Sequence, residues 1–260
     1  MIRLRTDFFA ESLGMGTSMV VLMPQAASGI GMEGADATSG SAADESGVPV
    51  LYLLHGLSDD CTIWERRTSI ERYATEKGIA VVMPEVRRSF YTDEAVGEAY
   101  WTFVAEELPQ LVAGTFRVST AREDTFVAGL SMGGFGAFKL ALNHPERFAA
   151  AASLSGAVDL TSMDLDWTGT LAQRVWDGRE IADTADDLLG LLGRRDPAEL
   201  PALFLDCGTE DQLITQNERF LAAAEDAGVD VTSRLRPGAH TWDFWDEGVQ
   251  DVLDWLPIRG

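Results

Sequence analysis

The chain has 260 residues, 46% of them hydrophobic, which suits one large α/β domain over residues 1–260 with a substantial buried core. Its formal net charge of −22 argues against binding to nucleic acid or an anionic membrane surface, because no excess of Lys and Arg is present to neutralise phosphates. Two cysteines, Cys61 and Cys207, are too few for a disulfide scaffold and fit a reducing compartment.

The stretch Met1 to Asp7 has no apolar signal region, and no run reaches the length of a membrane span, so a cytoplasmic protein is expected. Met19 to Met23 reads as a strand. Residues 26–47, rich in Gly, Ala, Ser, Asp and Glu, read as a flexible loop and a long hairpin connection. Val50 to Leu54 and Ile79 to Met83 are continuous apolar runs, as in strands buried on both faces. Between them Ile70 to Lys77 predicts a helix stopped at Gly78. Trp101 to Val112 predicts a helix with a kink at Pro109. A strand over Thr125 to Ala128 precedes a helix over Gly133 to Leu142. Further strands are expected at Phe148 to Leu154, Ala202 to Asp206 and Val229 to Leu235, with helices at Thr215 to Ala227 and Trp242 to Leu256. Buried strands alternating with helices predict an α/β fold, a mostly parallel sheet with helices on both faces. Residues 158–200, with Trp167, Trp176 and Leu188, interrupt the alternation and read as a small helical insertion that acts as a partial lid.

Chemistry concentrates at Gly129-Leu130-Ser131-Met132-Gly133, a Gly-x-Ser-x-Gly pattern between an apolar strand and a small-residue helix. This is the sequence of a nucleophile elbow, in which a strained turn lifts the serine above a sheet. A serine hydroxyl needs a base, and the base needs an orienting carboxylate. Three histidines are available. His144 sits at the end of the helix after Ser131, where it can cap carbonyls. His55 follows the strand ending at Leu54 and lies upstream of the serine. His240 lies between the last strand and the last helix, which fits the order serine, acid, histidine of the α/β-hydrolases. The acid then belongs after the strand Ala202 to Asp206. Asp211 is favoured there; Glu210 is its neighbour, Asp206 reads as part of the strand, and Asp243 reads as opening the last helix behind Thr241. For an oxyanion, the Met132 N–H at a helix N-terminus is one donor and the Leu57 N–H, in His55-Gly56-Leu57, the second. Neither a His-Glu-x-x-His helix nor paired Cys-x-x-Cys motifs occur, so neither metal nor cofactor is expected.

Four segments, Leu51 to Leu57, Gly129 to Gly134, Cys207 to Asp211 and Gly238 to Trp245, together resemble the putative-esterase family of α/β-hydrolases. That family includes tributyrin and acetyl esterases, feruloyl esterases, S-formylglutathione hydrolase (esterase D) and the mycolyltransferases. Trp64 to Arg67, Arg88 to Asp93 and His240-x-Trp242-x-x-Trp245 are most similar to the tributyrin-type esterases. The resemblance implies an α/β-hydrolase fold, Ser131, Asp211 and His240 as catalytic residues, Leu57 and Met132 as oxyanion donors, and hydrolysis of short-chain acyl esters. It leaves room for S-formylglutathione, feruloyl or acetylated carbohydrate esters, and for a homo-oligomer. One departure is Gly56-Leu57-Ser58-Asp59-Asp60-Cys61, where S-formylglutathione hydrolases usually carry Gly-Leu-Thr-Cys. Trp64, Tyr91 and Trp242 are candidates for lining the substrate pocket or for packing. Arg66 and Arg67 are candidates for an anionic substrate group or a solvated face. A scaffold that binds without catalysis is the competing class.

Overall fold

The computed structural model describes residues 1–25, 47–163 and 169–259. Among these, β1 (Ile2–Ala10), β2 (Met15–Met23), β3 (Val50–Leu54), β4 (Ala80–Pro84), β5 (Thr125–Leu130), β6 (Ala150–Leu154), β7 (Ala202–Gly208) and β8 (Val231–Arg236) form one sheet in the order β1-β2-β4-β3-β5-β6-β7-β8. The pairs from β4 to β8 are parallel, while β1–β2 and β2–β4 are antiparallel. This is the mostly parallel α/β sheet expected from the alternation of strands and helices, with the α/β-hydrolase fold that the resemblance implies.

Strands β3 to β6 are buried along their whole length, which is why they read as continuous apolar runs. Their side chains divide between two cores, one on each sheet face. Val50, Tyr52 and Leu54 join one core, Leu51 and Leu53 the other. The first core is covered by α4 (Leu108–Thr115), α5 (Met132–Asn143), α7 (Leu188–Arg194) and α8 (Ile214–Asp226). The second is covered by α1 (Ile63–Arg67), α2 (Ile70–Lys77) and α9 (Trp242–Trp255). Helix α5 is buried on all sides from Met132 to Leu142, as its apolar composition demands.

Several expectations need correction. Strand β1 escaped the sequence reading because Ile2-Arg3-Leu4-Arg5-Thr6-Asp7 alternates with charges and lies at the sheet edge, largely exposed. The anticipated hairpin between β2 and β3 does not form, since β4 lies between them in the sheet; the rest of that reading, residues 26–46, lies outside the described residues, as does Trp167. The helix expected at Trp101 to Val112 is built from α3 (Tyr100–Thr102), a π-helical segment (Phe103–Glu107) and α4. Pro109 sits in the first turn of α4, where its missing N–H is tolerated, so the irregularity precedes it. The Glu107 carboxylate accepts the Glu11 and Ser12 N–H groups, both at 2.8 Å, and so ties the β1–β2 turn to this segment.

The described part of 158–200 carries α6 (Thr170–Val175) and α7. It docks on α5 and on the loop after β4. Val175 and Arg174 carbonyls accept the Ala95 and Val96 N–H groups at 2.8 and 2.9 Å. Asp186 pairs with Lys139 of α5 at 2.5 Å, and both are almost fully buried. Lys139 Nζ also donates to Tyr91 O at 2.8 Å and to Thr92 Oγ1 at 3.0 Å. Asp186 also accepts the Trp176 indole N–H at 2.9 Å. Burial pushes the Lys139 pKa down, and Asp186 only partly opposes this.

Candidate active site

Strand β5 hands over to α5 at Ser131, which holds φ +53° and ψ −116°. That is a positive-φ conformation, outside the left-handed helical region, which a non-glycine residue adopts only under constraint. The constraint comes from close packing. A side chain at Gly129 would strike the Gly133 backbone, and one at Gly133 would strike the Leu54 and His55 carbonyls. The turn is also stitched to the neighbouring strand end. Ser131 N–H donates to Leu154 O at 2.9 Å, and Ala157 N–H donates to Ser131 O at 3.2 Å. Ser131 is half-buried, and its hydroxyl makes no hydrogen bond among the described residues.

Asp211 and His240 come together from the loops after β7 and β8. His240 Nδ1 donates to Asp211 Oδ2 at 2.8 Å. The Asp211 side chain is fully buried, whereas His240 keeps 23% of its side chain exposed. Burial alone would raise the Asp211 pKa. Hydrogen bonds from His240 and the Leu213 N–H, the latter at 2.8 Å, reverse this and hold it below the usual carboxylate range. An ionised Asp211 fixes the His240 proton on Nδ1 and leaves the Nε2 lone pair free to accept a proton. The imidazole stands edge-on to Trp245, centroid to centroid 4.7 Å. Trp245 in turn donates its indole N–H to the buried Ser155 Oγ at 3.1 Å. Ser131 and His240 are not hydrogen-bonded to each other; such bonds commonly tighten only when substrate is present.

The proposed oxyanion donors lie on α5 directly after the serine and in the loop after β3. Met132 is the first residue of α5, so its N–H has no partner within the helix. Gly56, which precedes Leu57, packs on the elbow so closely that an added side chain would meet Leu130 and lie 3.8 Å from Ser131 Cβ. His55 shapes this loop. Val86 N–H donates to its Nε2 at 3.1 Å, so Nδ1 carries the proton and donates to Gly56 O at 2.8 Å. His55 is 1% exposed and unsuited to act as a base on substrate.

The other sequence candidates fall elsewhere. His144 does not cap with its ring; it stacks on Trp101 at 5.6 Å, while its backbone N–H bonds Leu140 O at 2.8 Å. Asp206 is buried in β7 and paired with Arg236 at 3.1 Å. Thr241 is the N-cap of α9 but makes no side-chain cap bond, and Asp243 lies in the first turn. Trp64 and Tyr91, read as possible pocket walls, are corrected to core residues. Trp64 donates to Leu54 O at 3.1 Å and Tyr91 to His55 O at 2.9 Å, and both are packed away from solvent. Trp242 is half-buried in an aromatic cluster with Trp64 and Trp245. Arg66 lies along Asp60 at 3.2 Å on an exposed face. Cys61 and Cys207 are free and buried, their thiol pKa values pushed up to about 11 and about 12 by burial.

This constellation on this fold invites comparison with known proteins. The model of the Esterase family, described as "Putative esterase", matches residues 39–256. The chain belongs to that esterase family. It is similar to an acetyl esterase of Caldicellulosiruptor saccharolyticus, with 25% identity over 97% of both chains. Among solved structures it is similar to FphF, a fluorophosphonate-binding serine hydrolase of Staphylococcus aureus, at a TM-score of 0.86 and 30% identity over 98% of both chains. It is also similar to the S-formylglutathione hydrolase FrmB of Staphylococcus aureus, at a TM-score of 0.81 and 29% identity over 98% of both chains. The esterase is thus a carboxylic ester hydrolase. None of its described helices is long and apolar enough to cross a membrane.

Proposed function

We propose that the esterase is a cytoplasmic serine carboxylesterase, one domain over residues 1–260 with 158–200 as a partial lid, acting on short-chain acyl esters. The observation that carries this reading is the 2.8 Å bond from His240 to a buried Asp211, beside a serine held at positive φ on a strand-to-helix turn. Ser131 Oγ attacks the ester carbonyl while His240 Nε2 takes its proton. Asp211 keeps the imidazole in the required tautomer and stabilises the imidazolium. The Leu57 and Met132 N–H groups receive the tetrahedral oxyanion, each such donor contributing roughly 3 kcal/mol to transition-state binding. His240 then protonates the leaving alcohol, and the acyl-enzyme is released by water that His240 deprotonates. Besides water, these steps call only on side chains and backbone groups of this chain.

The test is turnover of p-nitrophenyl acetate and butyrate by wild type and by Ser131→Ala. We expect a loss on the order of 10⁴- to 10⁶-fold in kcat, with unchanged folding. An unchanged rate in that variant would overturn the reading. Fluorophosphonate labelling of Ser131 separates the enzyme from a binding scaffold. A second reading, hydrolysis of S-formylglutathione, is favoured by the similarity to FrmB. Comparing kcat/KM for that thioester, feruloyl esters, acetylated carbohydrates and simple acetates distinguishes the substrate classes.

A further inference from the structure

Glu210 is exposed and has no part in the chemistry above, yet it grips both polar backbone groups of Gly238. Its N–H donates to Gly238 O at 2.9 Å, and its carboxylate Oε2 accepts the Gly238 N–H. The Thr209 hydroxyl braces the other carboxylate oxygen at 3.0 Å. The location matters. Ladder pairing of β7 with β8 ends at Gly208 opposite Arg236; beyond it, Thr209 N–H donates to Arg236 O at 2.9 Å, and the next backbone bond between the two segments is the one from Glu210 to Gly238. Pro237 offers no N–H. Gly238 then takes φ +148°, with the Phe244 ring where a side chain would stand. Within the loop, Thr241 N–H to Ala239 O at 2.8 Å is the local bond. The path from the end of β8 to His240 therefore depends on what holds Gly238.

We propose that Glu210 is a positioning residue that clamps the histidine loop through Gly238, so that adjacent carboxylates of one loop divide the work, Asp211 orienting the imidazole and Glu210 the backbone that carries it. The inference rests on the reading of Ser131, His240 and Asp211 as the catalytic set. The Gly238 N–H and the Thr209 hydroxyl hold the Glu210 carboxyl below its usual range, so the clamp is charged at neutral pH.

The experiment compares Glu210→Ala and Glu210→Gln with wild type on p-nitrophenyl acetate. Displacing the histidine predicts a fall in kcat on the order of 10- to 100-fold in Glu210→Ala with KM nearly constant, as for a group misplaced relative to the reacting atoms. Glu210→Gln restores most of the rate, since its amide oxygen accepts the same N–H. The downfield proton resonance of His240 Nδ1–H disappears in Glu210→Ala and persists in Glu210→Gln. In an Asp211→Asn background the further loss from Glu210→Ala largely vanishes, because residues acting as a unit are not additive. Wild-type kcat and an intact resonance in Glu210→Ala, or full additivity with Asp211→Asn, overturn the clamp alone. Full activity in Asp211→Asn or Ser131→Ala overturns the catalytic reading, and the clamp with it.

Discussion

Two pairings of a basic side chain with a carboxylate have similar distances in this molecule and opposite characters. His240 and Asp211 meet at 2.8 Å where two loops leave the sheet, with the histidine partly open to solvent. Lys139 and Asp186 meet at 2.5 Å inside the protein, both nearly inaccessible. In the first pair the carboxylate is stabilised as an anion, and the imidazole, partly open to solvent, keeps one nitrogen without a partner among the described residues, an arrangement suited to moving protons. In the second, Lys139 is saturated by Asp186, Thr92 and Tyr91 and lies 4.4 Å from the Trp101 ring. Its three protons are all engaged away from solvent, and it joins α5 to the insertion. Burial makes a charge costly; only incomplete burial makes it usable.

The largest expected effect breaks the first pair. Asp211→Asn should lower kcat by about 10⁴-fold, by favouring the wrong imidazole tautomer. Steady-state kinetics on p-nitrophenyl acetate checks this, and circular dichroism should show the fold retained. Next in size is the second pair. Lys139→Met strands Asp186 and should destabilise the fold by about 3–5 kcal/mol in denaturant titration, while the folded fraction keeps its kcat. Adding Asp186→Asn should recover part of the loss, because it removes the stranded charge and keeps an acceptor for Trp176. The pH dependence separates the pairs further. The Asp211 pKa is depressed below its ordinary 3.8. Its contribution to stability is therefore complete above that value and is lost as pH falls through the lower folded-state pKa. Thermal midpoints of wild type and Asp211→Asn should converge on acidification below that window. The smallest effect belongs to an exposed pair. Arg66→Ala frees Asp60 at the surface and should change stability by less than about 1 kcal/mol.

The sequence exposes these regions unequally. Strand β3 and helix α2 match their expected bounds because a doubly buried strand and a helix ended by glycine are local patterns. The meeting of Asp211 with His240 is legible because each follows a strand and the two strands are parallel neighbours that end at the same edge of the sheet. Lys139 was passed over, although a lysine in a helix with no polar face signals a buried charge in need of a partner. That its partner is Asp186 is a tertiary fact with no local trace. Trp64 and Tyr91 were ambiguous because aromatic composition is the same in a pocket wall and in a core. The Glu210 clamp was invisible for another reason: it consists mostly of backbone groups, and the sequence carries no side-chain signature for Gly238 as its target.

The interlocked glycines at the elbow have one more consequence. With Gly129 pressed on Gly133, and Gly133 on the Leu54 and His55 carbonyls, the serine cannot be shifted without separating a strand from a helix at the centre of the sheet. In the proposed mechanism the attacking oxygen is thereby set by backbone contacts and not by a side chain that could change rotamer. No described residue of the insertion is among the atoms pressed on Gly129 and Gly133, so its side chains can vary without forcing that turn apart.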